Sequence, residues 1–225
     1  MSDSNLNNMK KSKRYDTSHL IEDQTEPGSK GRVLKNKLGI TSKREIDRHE
    51  KAEQIRTIEE LTNVFSVDHR FTASDISKIH NLWLGGIYEW AGKYRQVAIS
   101  KSGFPFAFPA QISRLMVEFE KGPLHKYTPC RFKTLEEVVK ALAIVHTELV
   151  LIHPFRDGNG RVARMLATLM ALQAELPPLD FRNMTGKGKK YYIKAVHEGM
   201  ERDYQPMEKV FTAVVRKTLR DRERK

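Results

Sequence analysis

A twelve-residue segment from His153 to Arg164 concentrates the side chains of this chain that could do chemistry. It reads His-Pro-Phe-Arg-Asp-Gly-Asn-Gly-Arg-Val-Ala-Arg and lies between two strongly apolar segments. An unperturbed histidine titrates at about pH 6.5, so His153 can accept a proton at neutral pH. Asp157 offers a hard oxygen ligand for Mg²⁺. Arg161 and Arg164 present forks of donors that suit phosphate oxygens.

The glycines of this segment predict a turn that binds anions. Gly158 and Gly160 flank Asn159, and glycine adopts the backbone angles of such a turn without steric cost. Successive backbone N–H groups form a concave anion site, and the positive end of the next helix points at the same place. A base, a metal ligand, an anion site and two charge clamps indicate phosphoryl or nucleotidyl transfer to a hydroxyl.

Taken one at a time, these residues have ordinary structural explanations. A histidine after an apolar helix is usually structural, Gly-Asn-Gly is usually a plain turn, and Asp157 could cap a helix. Their combination at this spacing, ahead of a helix that is apolar on nearly all sides, favours a functional site. The sequence contains neither the P-loop signature nor the His-Glu-x-x-His signature, which disfavours a P-loop ATPase and a zinc protease.

The hydrophobic pattern predicts an all-α bundle that holds this segment. Apolar residues recur at helical spacing over 135–152, and residues 162–172 are apolar nearly all round, as in a buried central helix. Residues 96–109 predict a β-hairpin, the only strand-like stretch in the chain. Further helices are predicted over 42–56, 72–84, 111–120, 189–201 and 206–222. The pair Gly122-Pro123 is expected to end the helix over 111–120.

Composition limits the function without choosing it. The chain carries a net charge of +12, which raises the prior for nucleotides or nucleic acid as partners. Much of that excess lies in 10–14, 187–190 and 216–225, so net charge does not decide the function. No apolar run is long enough to cross a membrane and no secretory signal is visible, so we expect a cytoplasmic protein without membrane contact. Cys130 excludes an internal disulfide and is expected to be an incidental surface cysteine, with a reactive thiol as the alternative.

The segment that begins at His153 resembles the Fic-domain signature His-x-Phe-x-Asp/Glu-Gly-Asn-Gly-Arg-x-x-Arg at every specified position. Residues 34–40 and 87–95 also resemble Fic-family segments upstream of that signature. The resemblance implies the Fic fold, an all-α helical bundle with one small β-hairpin that is called the flap. It covers residues 34–212, which we expect to form the Fic domain.

Two terminal segments are expected outside that domain. Residues 1–33 would form an N-terminal arm, disordered over 1–14, which carries a candidate inhibitory turn. Residues 213–225 would form a basic C-terminal tail.

The resemblance implies a protein adenylyltransferase. Such enzymes move AMP from ATP to a Ser, Thr or Tyr hydroxyl of a target protein and release pyrophosphate, with Mg²⁺ as cofactor. His153 would deprotonate the hydroxyl, Phe155 would anchor the loop and Asp157 would hold Mg²⁺. The implied nucleotide-binding residues of the motif are Gly158, Asn159, Gly160, Arg161 and Arg164.

The resemblance also implies which phosphate of the nucleotide each of these residues would contact. The Asn159 side chain would contact the α-phosphate, and Arg161 and Arg164 would grip the β- and γ-phosphates. Related Doc-type kinases have a lysine where this chain has Gly160. Gly160 therefore favours transfer of the nucleotidyl group over transfer of the terminal phosphate.

Two segments outside the motif complete the expected site. The hairpin over 96–109 would align the target by pairing with an extended segment of it, the alternative being a plain surface loop. Its expected docking residues are Ile99, Ser100, Lys101 and Phe104. Tyr191 and Tyr192 lie where related proteins contact the base, so either could stack on adenine or pack in the core.

An inhibitory device is also implied. Many Fic proteins carry a helix of pattern Ser/Thr-x-x-x-Glu-Gly/Asn, whose glutamate pairs with the second motif arginine. The stretch from Ser18 to Asp23 matches this pattern except at its last position. We therefore expect Glu22 to pair with Arg164, the alternative being an exposed acidic turn. Without an internal inhibitor, the chain would need an antitoxin-like partner protein.

Two other functions stay open at this point. One is a Fic-like transferase that uses another nucleotide, or phosphocholine, as its donor. The other is a non-catalytic nucleic-acid-binding protein, which the basic charge would explain and whose binding would be sensitive to salt.

Overall fold

The computed structural model describes residues 16–101 and 103–224, so the predicted disorder over 1–14 lies outside the described residues. The described chain is helical with one small antiparallel sheet, and the predicted all-α fold with a single hairpin is confirmed. The helices are α1 (Lys43–Val64), α2 (Ala73–Leu84), α3 (Pro109–Phe119), α4 (His125–Tyr127), α5 (Leu135–Ile152), α6 (Asn159–Gln173), α7 (Lys189–Glu198) and α8 (Gln205–Glu223). The strands are β1 (Ser100–Lys101) and β2 (Phe104–Pro105).

The core lies around α5 and α6. α5 packs against both α6 and α8, and most of its residues are buried, as its long apolar pattern predicts. α6 buries Val162, Leu166 and Met170 together with most of its other side chains, which confirms a central helix. The motif begins at the C-cap of α5 and continues into the first turns of α6, so these two buried helices fix both of its ends.

Helix starts follow the capping pattern of the sequence. Thr72 begins α2 and Thr134 begins α5, each with a capping box in which the threonine accepts from the third backbone N–H of its helix. An acidic side chain at that third position, Asp75 or Glu137, accepts in return from the backbone N–H of the threonine. These reciprocal bonds satisfy donors that a helix end leaves free.

Two helix ends differ from the prediction. α1 continues to Val64 rather than ending near residue 56, because Thr57 and Leu61 are buried on a helix whose exposed side is strongly polar. Gly122-Pro123 does not end the chain's helical path. Residues Glu120–Leu124 form a π-helical turn that leads into α4, and the burial of Leu124 holds that turn on the core.

The domain boundary predicted at residue 212 falls within α8. Residues 213–223 are the last turns of α8, and Val214 and Val215 are 0% and 1% exposed in the core. The N-terminal segment is also attached, since Val33 is buried and Thr25 pairs with Leu34 in an isolated bridge.

Cys130 is not a surface cysteine. It is buried, and burial raises the pKa of its thiol to about 12. A thiol so rarely ionised is a poor nucleophile. Across 16–101 and 103–224, no helix combines the length and apolar character needed to cross a membrane.

Candidate active site

The base of the site sits where α5 stops. His153 is the C-cap of α5, with a left-handed backbone at φ 53°, and its N–H donates to the carbonyl of Leu149 at 3.1 Å. Pro154 follows, which disfavours a helical conformation for the preceding residue. A positive φ in a residue other than glycine is uncommon and concentrates at functional sites. The chain turns here so that His153 lines a cavity.

Hydrogen bonding fixes the tautomer of His153. Its Nδ1 lies 3.0 Å from the carbonyl of Val150. A carbonyl can only accept, so Nδ1 carries the proton and Nε2 keeps a free lone pair. Burial, with help from the nearby charges of Arg95 and Lys101, lowers the pKa of His153 to about 4. The ring is therefore a neutral acceptor at neutral pH.

The loop behind the base is anchored by an aromatic stack. Phe155 is fully buried, and its ring stacks on that of His80 with 3.9 Å between centroids. His80 Nδ1 accepts from the N–H of Gly92 at 2.7 Å, so its Nε2 donates to the carbonyl of Asp157 at 3.1 Å. Burial lowers the pKa of His80 to about 4 and keeps it neutral. His80 was not identified as part of the site from sequence.

The side chain of Asn159 hydrogen-bonds to the backbone of the motif loop. Its Oδ1 accepts from the N–H of Phe155 at 2.8 Å, and its Nδ2 donates to the carbonyl of the same residue at 2.8 Å. The residue is 2% exposed. Nδ2 carries a second hydrogen, and Asn159 lines the cavity, so the expected contact with an α-phosphate stays a prediction.

The anion turn has the backbone that its glycines predict. Gly158 has φ 82° and is the N-cap of α6. A Cβ on Gly158 would lie 2.7 Å from the ring of Trp83, so the position requires glycine for space as well as for conformation. The first amides of α6 lack partners within the helix and line the cavity at Asn159 and Gly160. Their N–H groups and the helix dipole make this an anion site.

The two motif arginines are held differently. Nη1 of Arg161 lies 2.5 Å from Oε2 of Glu50, and its guanidinium lies over the ring of Trp83 at 4.5 Å. Arg164 is one helical turn further, where burial and the charge of Arg161 lower its pKa. Both line the cavity. Sequence analysis did not single out Glu50.

Asp157 is the accessible carboxylate of the site. Its side chain is 57% exposed. Oδ1 accepts from the N–H of Gly158 at 2.7 Å, and Oδ2 lies 3.4 Å from Nη2 of Arg161. The described residues contain no cluster of three or more His, Cys, Asp or Glu side chains that could hold a metal. The accessible carboxylate of Asp157 is a hard oxygen donor of the kind that Mg²⁺ accepts.

A cavity of about 510 Å³ joins these groups. This volume is in the range of small-ligand sites. The motif supplies one wall, α7 supplies a second with Tyr192 and His197, and the hairpin supplies a third with Lys101, Phe104 and Phe106.

Of the two tyrosines, Tyr192 faces the cavity. Its hydroxyl lies 3.0 Å from Nε2 of the buried His146, and burial raises its pKa to about 12, so it stays protonated. Tyr191 is 47% exposed and does not line the cavity, so the expectation that it could reach the base is wrong. His146 was not identified as part of the site from sequence.

The flap covers the base with aromatic rings. Its pairing is shorter than 96–109, with Ser100 opposite Pro105 and Lys101 opposite Phe104. The ring of Phe106 stacks on His153 with 3.6 Å between centroids, and Phe104 stacks on His197 at 4.2 Å. Among the expected docking residues, Lys101 and Phe104 line the cavity, Ser100 is exposed and Ile99 accepts from the N–H of Phe106.

Arg95 ties the flap to the base. It is 1% exposed, and its Nε donates to the carbonyl of His153 at 2.8 Å. Nη1 donates to the carbonyl of Val97 at 2.7 Å and Nη2 to that of Ala107 at 2.6 Å. The guanidinium of Arg95 thus bonds to both arms of the hairpin and to the loop that carries His153.

Glu22 does not pair with Arg164. Its Oε1 accepts from the backbone N–H of Gln96 at 2.6 Å. Burial lowers the pKa of Arg95, and the charge of Glu22 offsets part of that shift. Its backbone carbonyl accepts from Nε of Arg156 at 2.6 Å. The alternative of an exposed acidic turn is also wrong, because Glu22 is 6% exposed. Ser18, the first residue of the candidate inhibitory pattern, lies exposed.

Two curated relatives are similar to this chain in sequence. VbhT, a protein adenylyltransferase of Bartonella schoenbuchensis, is 33% identical over 143 residues, which cover 63% of this chain and 29% of VbhT. The protein adenylyltransferase Fic of Aedes aegypti is 27% identical over 190 residues, covering 83% of this chain and 36% of that protein. The chain thus spans about a third of the length of these curated relatives.

Solved structures show the same fold. The N-terminal Fic domain of a Bep effector from Bartonella sp. AR 15-3 has a TM-score of 0.71 at 25% identity, covering 87% of this chain and 92% of that one. The Fic domain of a Bep effector from Bartonella quintana, solved with bound ADP, has a TM-score of 0.65 at 26% identity, covering 80% and 89%.

The model of the Fic/DOC family matches residues 70–171, from α2 through most of α6. That segment contains the aromatic anchor, the flap and the whole motif. Over these residues, the chain is similar to the Fic/DOC family.

Proposed function

We propose that this chain is a protein adenylyltransferase, which moves AMP from ATP to a Ser, Thr or Tyr hydroxyl of a target protein. The observation that carries the proposal is a neutral His153 with a free Nε2 at a cavity that also holds an anion turn and two arginines. Curated relatives named protein adenylyltransferase support it, as does a related Fic domain solved with ADP.

The proposed chemistry follows from these positions. Nε2 of His153 takes the proton of the target hydroxyl as its oxygen bonds to the α-phosphorus of ATP. The bond between that phosphorus and the bridging oxygen breaks, and pyrophosphate leaves. The N–H groups at the start of α6 stabilise the charge on the α-phosphate, while Arg161 and Arg164 hold the β- and γ-phosphates.

Asp157 would hold Mg²⁺ in this proposal. Its accessible carboxylate lies beside the phosphate side of the cavity. A bound Mg²⁺ would supply positive charge that offsets the charge of the pyrophosphate leaving group.

The flap would present the target. The outer edge of β1 is exposed at Ser100, and an extended target segment could add to it as a strand. Such pairing would register the acceptor hydroxyl over His153, which Phe106 covers in this structure. Glu22 bonds at the base of the flap and not to Arg164. An antitoxin-like inhibitor protein that pairs with Arg164 therefore stays part of the proposal.

The test is transfer of label from ATP labelled at the α-phosphate to proteins of a cell lysate. We expect His153→Ala to lower labelling by about 10²–10⁴-fold, the usual contribution of a general base. ATP labelled at the γ-phosphate should transfer nothing. His49→Ala, an exposed histidine on α1, is the matched control and should label as wild type does. Equal labelling by His153→Ala, or transfer of the γ-label, would refute the proposal.

A further inference from the structure

The carboxylate of Glu50 is a buried anion on the phosphate side of the cavity. Glu50 is 4% exposed on α1, and its Oε2 lies 2.5 Å from Nη1 of Arg161. Its Oε1 accepts from the hydroxyl of Tyr88 at 2.7 Å. The indole N–H of Trp83 donates to the Glu50 backbone carbonyl at 2.8 Å. Both the backbone and the carboxylate of Glu50 are therefore fixed.

These contacts leave Arg161 little freedom. The ring of Trp83 covers one face of its guanidinium at 4.5 Å, and the carboxylate of Glu50 accepts a hydrogen bond from one of its terminal nitrogens. The other terminal nitrogen, Nη2, lies 3.4 Å from Oδ2 of Asp157, at the cavity. An arginine on a helix surface normally loses side-chain entropy when it binds a phosphate. Here three neighbouring residues hold Arg161 before any ligand arrives.

We propose that Glu50, supported by Tyr88, is a positioning residue that orients Arg161 to bind the phosphates beyond the α-phosphate of ATP. This inference rests on the proposed function and concerns how its nucleotide is held. It assigns a role to a residue of α1, which lies outside the segment matched by the family model.

The burial of Glu50 distinguishes a positioning role from competition with the phosphates for Arg161. A carboxylate bonded to an arginine could instead compete with the phosphates for the same donors. Competition would require Glu50 to release Arg161, which would leave a buried carboxylate without its cation, a costly state. Tyr88 also holds Glu50 in place, and burial together with Glu50 keeps the pKa of Tyr88 above its usual value, so the hydroxyl remains a donor. The phosphate therefore binds the donors that Glu50 leaves free.

The test compares the affinities of AMP, ADP and ATP for the full chain by calorimetry. Wild type should bind ATP more tightly than AMP. Glu50→Gln should lose about tenfold in ATP affinity, as expected for a bond to a charged group, while AMP affinity stays within about twofold. KM for ATP should rise by a similar factor and kcat for labelling should change little. Glu50→Asp, which keeps the charge, should restore part of the loss.

A second variant and a control keep the test decisive. Tyr88→Phe removes one bond without leaving a buried charge, and should lower the ATP-over-AMP preference in the same direction by about threefold. Glu53→Gln is the matched control, because Glu53 lies one turn on along α1, is 38% exposed and pairs with Arg56. It should bind all three nucleotides as wild type does.

Three outcomes would overturn the inference. One is a folded Glu50→Gln that binds ATP as tightly as wild type or more tightly, the latter identifying a competitor. Another is a wild type without any ATP-over-AMP preference. The third applies if Glu50→Gln fails to fold, and it is an unchanged preference for ATP over AMP in Tyr88→Phe. Failure of the proposed function is separate, since the affinities can follow this pattern in a protein that labels nothing.

Discussion

The two ends of the motif are built from different interactions. At the base end, His153 and Phe155 are held by a backbone carbonyl and by stacking on the neutral rings of Phe106 and His80. At the phosphate end, Arg161 is held by the charges of Glu50 and Asp157.

This difference separates two requirements of the proposed reaction. A general base must be neutral, and burial with help from the charges of Arg95 and Lys101 keeps the pKa of His153 low. A phosphate clamp must be charged and correctly oriented, and the carboxylates of Glu50 and Asp157 hold the guanidinium of Arg161 in place. Acid should therefore act mainly at the base end. Changes of backbone or charge should act mainly at the phosphate end.

Acid should give the largest effect, and at the base end. Buried His80 and His146 have pKa values lowered to about 4 and about 3, whereas the unfolded chain titrates at about 6.5. Between these values the unfolded state binds more protons, so stability that is present above pH 6.5 is lost as pH falls. We expect the free energy of unfolding to drop by about 1.4 kcal/mol per pH unit for each of these histidines.

Urea titrations from pH 7.5 to 4.5 measure this slope. His80→Gln should flatten it by about one proton even if that variant is less stable throughout. A slope that is the same with and without His80 would show that the base end is not held by a neutral histidine.

A methyl group at the turn should give the next effect, at the phosphate end. Gly158→Ala forces a Cβ to 2.7 Å from Trp83 at φ 82°, and should cost about 1–3 kcal/mol of folding free energy. Gly160→Ala is the matched control, because its Cβ would meet nothing closer than 3.6 Å, in a helix. Equal unfolding midpoints in guanidinium for the two variants would contradict the close approach of the turn to Trp83.

Glu22→Gln should give the smallest effect and locate the role of that residue. It removes the charge that supports Arg95 while an oxygen can still accept from Gln96. We expect KM for the target protein to rise by about two- to threefold and ATP affinity to stay constant. Strong activation of labelling would instead restore the inhibitory role that the sequence pattern predicts for Glu22.

Much of the fold could be predicted because its signals are local. The long apolar face of α5 and the all-round apolar character of α6 reflect burial directly. The helix over 206–222 was predicted and corresponds to α8, whereas the continuation of α1 to Val64 could not be predicted, because Thr57 becomes a core residue only through neighbours distant in sequence. The π-helical turn at Gly122-Pro123 likewise depends on the burial of Leu124.

The site was predictable where the motif is contiguous and not elsewhere. Gly158 and the arginines follow from spacing alone, and the structure places them at one cavity. Glu50, Arg95 and His146 come from other elements and resemble ordinary helix or loop residues in sequence. A buried charge or imidazole becomes recognisable only once its partner across the fold is known. The bonds between the Asn159 side chain and the backbone of Phe155 could not be predicted for the same reason.

The shared guanidinium of Arg95 bears on how the proposed adenylyltransferase could change its targets. Because it bonds to the carbonyls of Val97, Ala107 and His153, one planar group ties the roots of the hairpin to the loop that carries His153. Under the proposed function, substitutions at Lys101, Phe104 or Pro105 would alter what the hairpin presents to a target without removing these three bonds. Target choice and the geometry at His153 could then diverge independently over evolutionary time.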